Sequence, residues 1–585
     1  VTAAASRASA LVSGEPALLA RLLNTLLRED VYGLRSTASL RHEPDGPWLR
    51  IRLATGVGLI PVRPDGFLSD LSVREPVLVW QGRRLTSLAD VLDQLARLAP
   101  VEDQPGHHDL AAECAQTLAT WRLHERHHDR VLRALATAPR AGLAGSLRDE
   151  TLAAFLDHPV YPLARGRFGL RDADLLGFAP EFAPSFPLRW LALPADLLTT
   201  VGVLPDHWPS MASVGLPRGL GDTHRLLPVH PLTVGQQLTF ALREAGIEAG
   251  QSVLAPLPWL IARPTLSMRT LAVATDLRVH LKLPLPTSSL GVRNRRTIKP
   301  ATLIDGAVAE RLLTAVLARD RALAAQVLLA DEQSYAHAGH ELLALLVRRY
   351  PAELTDARVV PVAALLAPAP DGRLVIDEIA DEFFDGDLPA LLDAYLRPLF
   401  DVHLTLWLRY GIVLEAHQQN IALVLDRPAG RPRLRLLYKD NDGPRVLIDR
   451  LAAALPLAAR AARFADQRIV AHTDDELADM FITITLHLCA GALVFGLADA
   501  GRLDAADGLW LVRDRLRQAL AAQQDAPAAK LAAARLFRAP RLPIKTMLTV
   551  GTLLSKRRSG AADINKHYGA DGPNYLLGPG GAGDG

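Results

Sequence analysis

The sequence predicts an α+β protein built from several subdomains. Three observations predict it. A chain of 585 residues is too long for one simple core, so two to four domains are expected. Both ends carry apolar residues at three- and four-residue spacing, as helices facing a core do. The middle carries apolar runs bounded by proline and glycine, as strands joined by tight turns do. Hydrophobic residues make up 49% and charged residues 22%, the balance of a globular, soluble chain. The formal net charge of +2 gives no global pull toward nucleic acid or an anionic membrane.

Residues 1–150 read as a mostly helical unit. "EPALLARLLNTLLRED" and "LTSLADVLDQLARLA" space their leucines for helices, and "WLRIRLATGVGLIPV" alternates like a strand pair between them. Residues 151–385 hold several strands, best seen in "SVLAPLPWLIARPTLSMRTLAVATDLRVHLKLPLP". "APAPDG" and the acidic "IDEIADEFFDGD" read as a boundary. Residues 386–575 begin with a helix, "LPALLDAYLRPLFDVHLTLWLRYG", continue as a strand hairpin to Leu447 and end in Ala/Leu-rich helices. Residues 576–585 close a glycine-rich tail expected to be disordered.

"VTAAASRASALVSG" lacks a basic segment followed by an apolar one, so no signal peptide is expected. "MFITITLHLCAGALVFGL" carries two Thr, a His and a Cys and no basic anchors, which predicts a buried core helix rather than a membrane span. Cys114 and Cys489 are far apart and have no metal or redox spacing, which predicts buried apolar residues and a cytoplasmic location. Arginine supplies nearly all the positive charge, and no lysine precedes Lys282. Lys282, Lys439 and Lys545 are therefore candidate positions where a compact ammonium is needed.

Two motifs fail on context. "HERHH" fits the H-E-x-x-H pattern with His124 and His128 on one helix face, yet its charged neighbours predict a solvated face and no third ligand is identifiable. Gly578, Gly580 and Gly583 form G-x-G-x-x-G with neither a strand before nor a helix after.

The chemistry concentrates in "LEAHQQNIALVLDRPAGRPRLRLLYKDNDG". Apolar strands are interrupted by Glu415, His417, Gln418, Gln419 and Asn420, and the returning strand ends at Asp440. A hairpin brings Asp440 beside Asn420 and Glu415. One or two carboxylates plus an amide oxygen is the usual protein share of a Mg²⁺ site, with phosphates and water completing it. Protein kinases use the same logic. Upstream, residues 251–300 hold eight basic residues and one acid, interleaved with the hydroxyls of Ser267, Thr270 and Ser289. Such a cluster suits a triphosphate, a carboxylate or both. Lys282 lies inside an apolar strand, where it needs an anionic partner. Arg295, Arg296 and Lys299 read as a solvated basic face. "DHPVYPLARGRFG" and "LPVHPLTVGQQ" each fix a histidine, His158 and His230, beside a proline.

Together these motifs resemble the siderophore synthetases that work independently of nonribosomal peptide synthetases, the aerobactin-synthetase-like family. "RLLNTLLRED", "HPVYPLARGRFG", "LPVHPLTVGQQ", "SMRT", "HLKLPL…TSSLGVR", "EAHQQN", "KDNDG" and "LPIKTML" are similar to family segments and occur in family order. Tyr161, Arg165 and Leu232-Thr233 depart from the pattern, at the substrate end rather than the ATP end. The resemblance implies a hand-like architecture: a helical thumb, mixed α/β fingers, and a palm with an antiparallel sheet and helices. It implies an ATP-dependent ligase that adenylates a polycarboxylic acid such as citrate, releases pyrophosphate and condenses the acyl adenylate with an amine or alcohol. It also implies a homodimer.

On this reading Glu415, Asn420 and Asp440 hold Mg²⁺ on ATP, while Ser267, Arg269, Thr270 and Lys282 bind its phosphates. Arg293 and His417 lie at the α-phosphate, where charge builds. His158, Ser289, Arg293, His230 and Lys545 are candidates for the carboxylate substrate. The rivals are a kinase-like phosphotransferase, which would form ADP, and a scaffold or nucleic-acid binder without ATP turnover. The small-molecule reading expects neither a nucleic-acid nor a membrane partner.

Overall fold

In the computed structural model, residues 14–53, 56–560 and 567–577 are described. The segment used above to exclude a signal peptide, the G-x-G-x-x-G and the end of the tail from 578 lie outside them.

The first helix, Glu15–Arg28, buries Leu18, Leu19, Leu22, Leu23, Leu26 and Leu27, the stripe its spacing predicts. The N-terminal unit holds more strand than expected. A six-stranded antiparallel sheet spans residues 39–85, and its first strand, Ser39–Glu43, is exposed along its whole length. An exposed polar strand has no apolar alternation to reveal it. Helix Leu88–Leu98 starts at a Ser87 cap, and a 33-residue helix, Gln104–Ala136, follows.

The middle of the chain forms a nine-stranded antiparallel sheet. Its hairpin of Thr270–Val273 and Asp276–Lys282 pairs Thr270 with Lys282, and Ala344–Arg349 lies on the other side of Asp276–Lys282. The boundary expected at residues 376–387 is instead a packed helix, Val375–Phe384. Two of its acids, Asp377 and Glu378, are buried, while Asp381 and Glu382 are exposed. Glu378 accepts Arg148 Nη2 at 2.9 Å and Asp377 accepts Arg502 Nη2 at 2.8 Å. Arg148, Asp149, Arg358 and Glu378 make a buried four-membered ion network that ties three elements together.

The predicted helix runs Leu388–Tyr410 and stops at Gly411, whose φ of +67° is left-handed. A Cβ there would stand 2.9 Å from the Leu447 carbonyl oxygen, so glycine is needed for both conformation and space. The hairpin follows in the predicted register. Ile421–Asp426 pairs antiparallel with Arg433–Tyr438, with Ile421 opposite Tyr438, inside a four-stranded sheet completed by Val327–Leu329 and Arg358–Pro361. The helix through Asp474–Asp499 is the one described helix long and apolar enough to cross a membrane, and it is nearly all buried, as a core helix. Its centre, Phe481–Gly491, is a π-helix. Both cysteines are buried free thiols. The glycine-rich tail is ordered at its start: residues 570–573 pair with Arg541–Ile544, and Leu576 is buried.

Candidate active site

A cavity of about 860 Å³ opens between the nine-stranded sheet, the hairpin and the C-terminal helices. Glu415, His417, Gln418, Gln419 and Asn420 line one side. Ser267, Arg269, Lys282, Ser289, Arg293 and Arg296 line another, and His158, Arg165 and Lys545 complete it. Residues up to 387 positions apart in sequence thus share one wall, as the sequence grouping required.

The hairpin register sets the acid and amide side. The backbone N–H of Lys439 donates to the Asn420 carbonyl at 3.1 Å, which carries Asp440 just past the end of the ladder. Asp440 has φ of +55°, a left-handed bend that Asp tolerates. Its backbone N–H is held by both carboxylate oxygens of Glu332 at 3.1 Å. Asn420 Nδ2 donates to the Glu415 carbonyl at 3.2 Å, which leaves its Oδ1 end for a ligand. Glu415, Asn420 and Asp440 therefore come together as expected, and they present oxygens of the kind hard cations take. Asp442, which the sequence reading passed over, joins them: its Oδ2 is 3.7 Å from Lys282 Nζ.

Lys282 differs from expectation. Its Nζ sits 2.6 Å from Asp440 Oδ1, so the lysine assigned to phosphates is the partner of the carboxylate assigned to metal. Arg348 Nη2 shares the same oxygen at 2.8 Å, and Arg348 Nε donates to Glu332 Oε1 at 2.5 Å. Although burial opposes ionisation, Arg348 and Lys282 hold the Asp440 carboxyl well below the usual range. The other two lysines behave alike. Lys439 is 3.5 Å from Glu150 and Lys545 is 3.7 Å from Glu415, and all three are buried, whereas Lys299, Lys530 and Lys556 are exposed.

The loop 415–420 is pinned to the π-helix. Gln418 Nε2 donates to the Leu488 carbonyl at 2.6 Å, and Cys489 Sγ donates to the Ala416 carbonyl at 3.3 Å. Tyr395 and Tyr575 hydroxyls take the carbonyls of Cys489 and Leu486. A π-helix shifts its carbonyls out of the ordinary ladder and is common at functional sites.

The histidines share one device. His417 Nδ1 accepts the Gln419 N–H at 3.3 Å, and His158 Nδ1 accepts the N–H groups of Val160 and Tyr161 at 3.1 and 3.0 Å. In each neutral ring Nε2 must then carry the proton, which makes it a donor. Burial first, then Lys545, lowers the His417 pKa to about 4; burial, then His417, lowers that of His158 to about 3. Both rings are neutral near pH 7.

Several assignments need correction. His230 does not reach the cavity. It caps the turn after it through Nδ1 to Leu232 N–H at 3.1 Å and packs between Phe178 and Phe186, so its proline neighbour serves the fold. Thr270 is fully buried, with its hydroxyl 3.0 Å from Ser267 Oγ; of the pair only Ser267 lines the cavity. Arg293 reaches the cavity, but its Nη1 donates to the Val550 carbonyl at 3.1 Å and also to that of Leu554. Arg296 is not on a solvated face: it lines the cavity. Of the departing residues, Arg165 lines the cavity and Tyr161 does not. Tyr161 is buried on Glu113 at 2.8 Å, and Arg165 forms an ion pair with Asp157 at 3.0 Å. "HERHH" is solvated only in part, since His124 is fully buried against Phe155 and Phe182. Among the described residues no group of three or more His, Cys, Asp or Glu could hold a metal ion alone, so a metal here needs the Asn420 oxygen and outside ligands.

Residues 149–367 match the model of the IucA / IucC family, and residues 389–560 match that of the ferric iron reductase FhuF-like transporter. The rhizobactin siderophore biosynthesis protein RhbC of Rhizobium meliloti (strain 1021) is 30% identical over 49% of this chain and 52% of that protein. Staphyloferrin B synthase of Staphylococcus aureus (strain NCTC 8325 / PS 47) is 26% identical over 75% of this chain and 76% of that protein. The alignment with RhbC thus spans about half of its length. ATP-bound aerobactin synthetase IucA from a hypervirulent pathotype of Klebsiella pneumoniae has the same fold, with a TM-score of 0.69 and 20% identity over 96% of this chain and 99% of that one. Residues 149–367 thus match the IucA / IucC family, and the chain as a whole shares the fold of aerobactin synthetase IucA.

Proposed function

We propose that this protein is an ATP-dependent ligase of siderophore biosynthesis that activates a polycarboxylic acid, citrate or a close analogue, and joins it to an amine or alcohol. The observation that carries the proposal is one cavity lined both by oxygen donors (Glu415, Asn420, Asp440) and by cations (Lys282, Arg269, Arg293, Arg296). That polarity suits a metal-bound polyphosphate and a carboxylate held together. The siderophore setting comes from the names of the relatives, and ATP from the bound state of the structural neighbour.

Glu415, Asn420 and Asp440 would hold Mg²⁺, which when bound neutralises charge on the phosphates. For Asp440 to serve a metal, Lys282 has to release it, and its flexible stem lets the ammonium turn to the phosphates. A carboxylate oxygen of the acid then attacks the α-phosphorus, the bond to the bridging oxygen breaks and pyrophosphate leaves. The amine or alcohol next attacks the acyl carbon, AMP leaves and the nucleophile gives up one proton. The neutral Nε2–H of His417 donates to the oxygens on which charge builds. Arg293 supplies a full positive charge with the nitrogens not tied to carbonyls 550 and 554. Ser289, His158 and Lys545 orient the acid. No covalent enzyme intermediate is required.

The test is product identity across a panel of polycarboxylic acids and polyamines with Mg-ATP. The proposal expects AMP and pyrophosphate, dependent on one acid. ADP as the product would establish a phosphotransferase instead, and no turnover with any acid would remove the ligase reading.

A further inference from the structure

Among the described residues Arg296 has no anionic partner. Its Nε donates to Ser289 Oγ at 2.5 Å and its Nη2 to the Ser289 carbonyl at 2.9 Å. Its backbone is fixed between Thr287 and Leu285 by hydrogen bonds of 2.8 and 2.9 Å. Nη1 makes no hydrogen bond, and among the described residues no carboxylate pairs with this guanidinium, although the adjacent Arg295 pairs with Glu341 at 2.7 Å. The surroundings add positive charge. Arg167, which also lines the cavity, gives Nη2 to Glu181 at 2.5 Å, but its Nη1 is buried with no partner. Arg269 donates to the Thr297 carbonyl at 2.6 Å; among the described residues it has no carboxylate within ion-pair reach, the Asp440 and Asp442 charges acting on it from further away. Burial, with the charges of Arg269 and Arg167, lowers the Arg296 pKa to about 9.

An unpaired charge taken from water is costly, and like charges beside it raise that cost. Serine alone does not compensate it. The free Nη1 atoms of two arginines in one cavity wall define a place where an anion would relieve the cost, and a guanidinium edge suits a planar oxyanion.

We propose that Arg296 and Arg167, supported by Arg269, form an oxyanion subsite of this cavity that takes one carboxylate or phosphate group of the substrates. Which of the two it takes rests on the ligase reading; that it binds an oxyanion does not.

The experiment uses the full chain, wild type and Arg296→Gln, with citrate alone and inorganic pyrophosphate alone as probes of thermal unfolding. The proposal expects at least one probe to raise the wild-type midpoint and R296Q to lose most of that rise. Without a probe, R296Q should unfold at the same or a higher temperature, because a half-buried charge without an anionic partner has been removed. A lower midpoint together with an undiminished probe effect would show a structural arginine and overturn the proposal. Steady-state kinetics separate the sources. A rise of about tenfold or more in KM for the acid with KM for ATP unchanged assigns the carboxylate, and the reverse assigns a phosphate, a tenfold loss being the size of one modest interaction. Neither KM moving would also overturn the proposal. If no acid supports turnover, the ligase reading fails while the probe measurement still decides the subsite.

Discussion

Histidine Nδ1 atoms spent on backbone N–H groups determine what His417 and His158 can do. Each ring is neutral and presents Nε2–H, so each is a hydrogen-bond donor near pH 7 rather than a base poised to take a proton. His417→Ala should lower the adenylation rate on the order of 10²–10³-fold with folding intact, as loss of one placed donor does. Near-wild-type turnover in stopped-flow pyrophosphate release would contradict the assignment. The same groups predict acid sensitivity. His158 and His230 are lowered to about 3, and His417 and His487 to about 4, in each case mainly by burial. The unfolded chain takes up these protons first, near pH 6.5, and the folded chain only near pH 3–4. Stability should therefore fall as pH drops from about 6.5 toward 4, and these groups should have no effect above it. Thermal unfolding across pH 4–8 checks this; a midpoint flat from 7 down to 4.5 would contradict it.

At the scale of elements, the hairpin and the π-helix place the chemistry. Asp440 reaches the site because the ladder ends at Tyr438, the next residue still bonds back to Asn420, and Glu332 fixes the left-handed bend. Lys282→Arg should reduce turnover about tenfold or more, because a planar fork does not replace a point charge lying 2.6 Å from Asp440 and 3.7 Å from Asp442. Unchanged kinetics would remove the argument from lysine usage. Glu378→Gln leaves buried Arg148 with Asp149 alone and Arg358 with Asp149 and the more distant Glu382, and breaking a buried ion network of this kind costs about 3–5 kcal/mol. Denaturant unfolding should show that loss, and a shift under about 1 kcal/mol would mean that the network is dispensable.

This scale also shows what sequence could reveal. Glu415, Asn420 and Asp440 were legible because a two-strand register is local, and the three sparse lysines were legible because an ammonium stands out in an arginine-rich chain. Glu332, Arg348, Asp442 and Arg167 were not. Glu332 meets Asp440 across 108 residues, and nothing near it in sequence announces that contact. His230 misled for the opposite reason: a proline-fixed histidine caps a turn as readily as it binds a ligand. The exposed strand Ser39–Glu43 and the buried acids of Val375–Phe384 broke the usual link between polarity and position.

At the scale of the whole molecule, strands from two sheets, a hairpin loop and a C-terminal segment converge on one cavity lined by acid and amide oxygens and by guanidiniums. The proposed function requires this lining to hold a metal-bound nucleotide against a carboxylate. A crystal structure with Mg-ATP tests it most directly. The account predicts a metal about 2.0–2.1 Å from an Asp440 oxygen, with Glu415 and Asn420 in its shell and Lys282 moved onto the phosphates. A triphosphate bound elsewhere, with Lys282 still on Asp440 and no metal between the three oxygen donors, would contradict it.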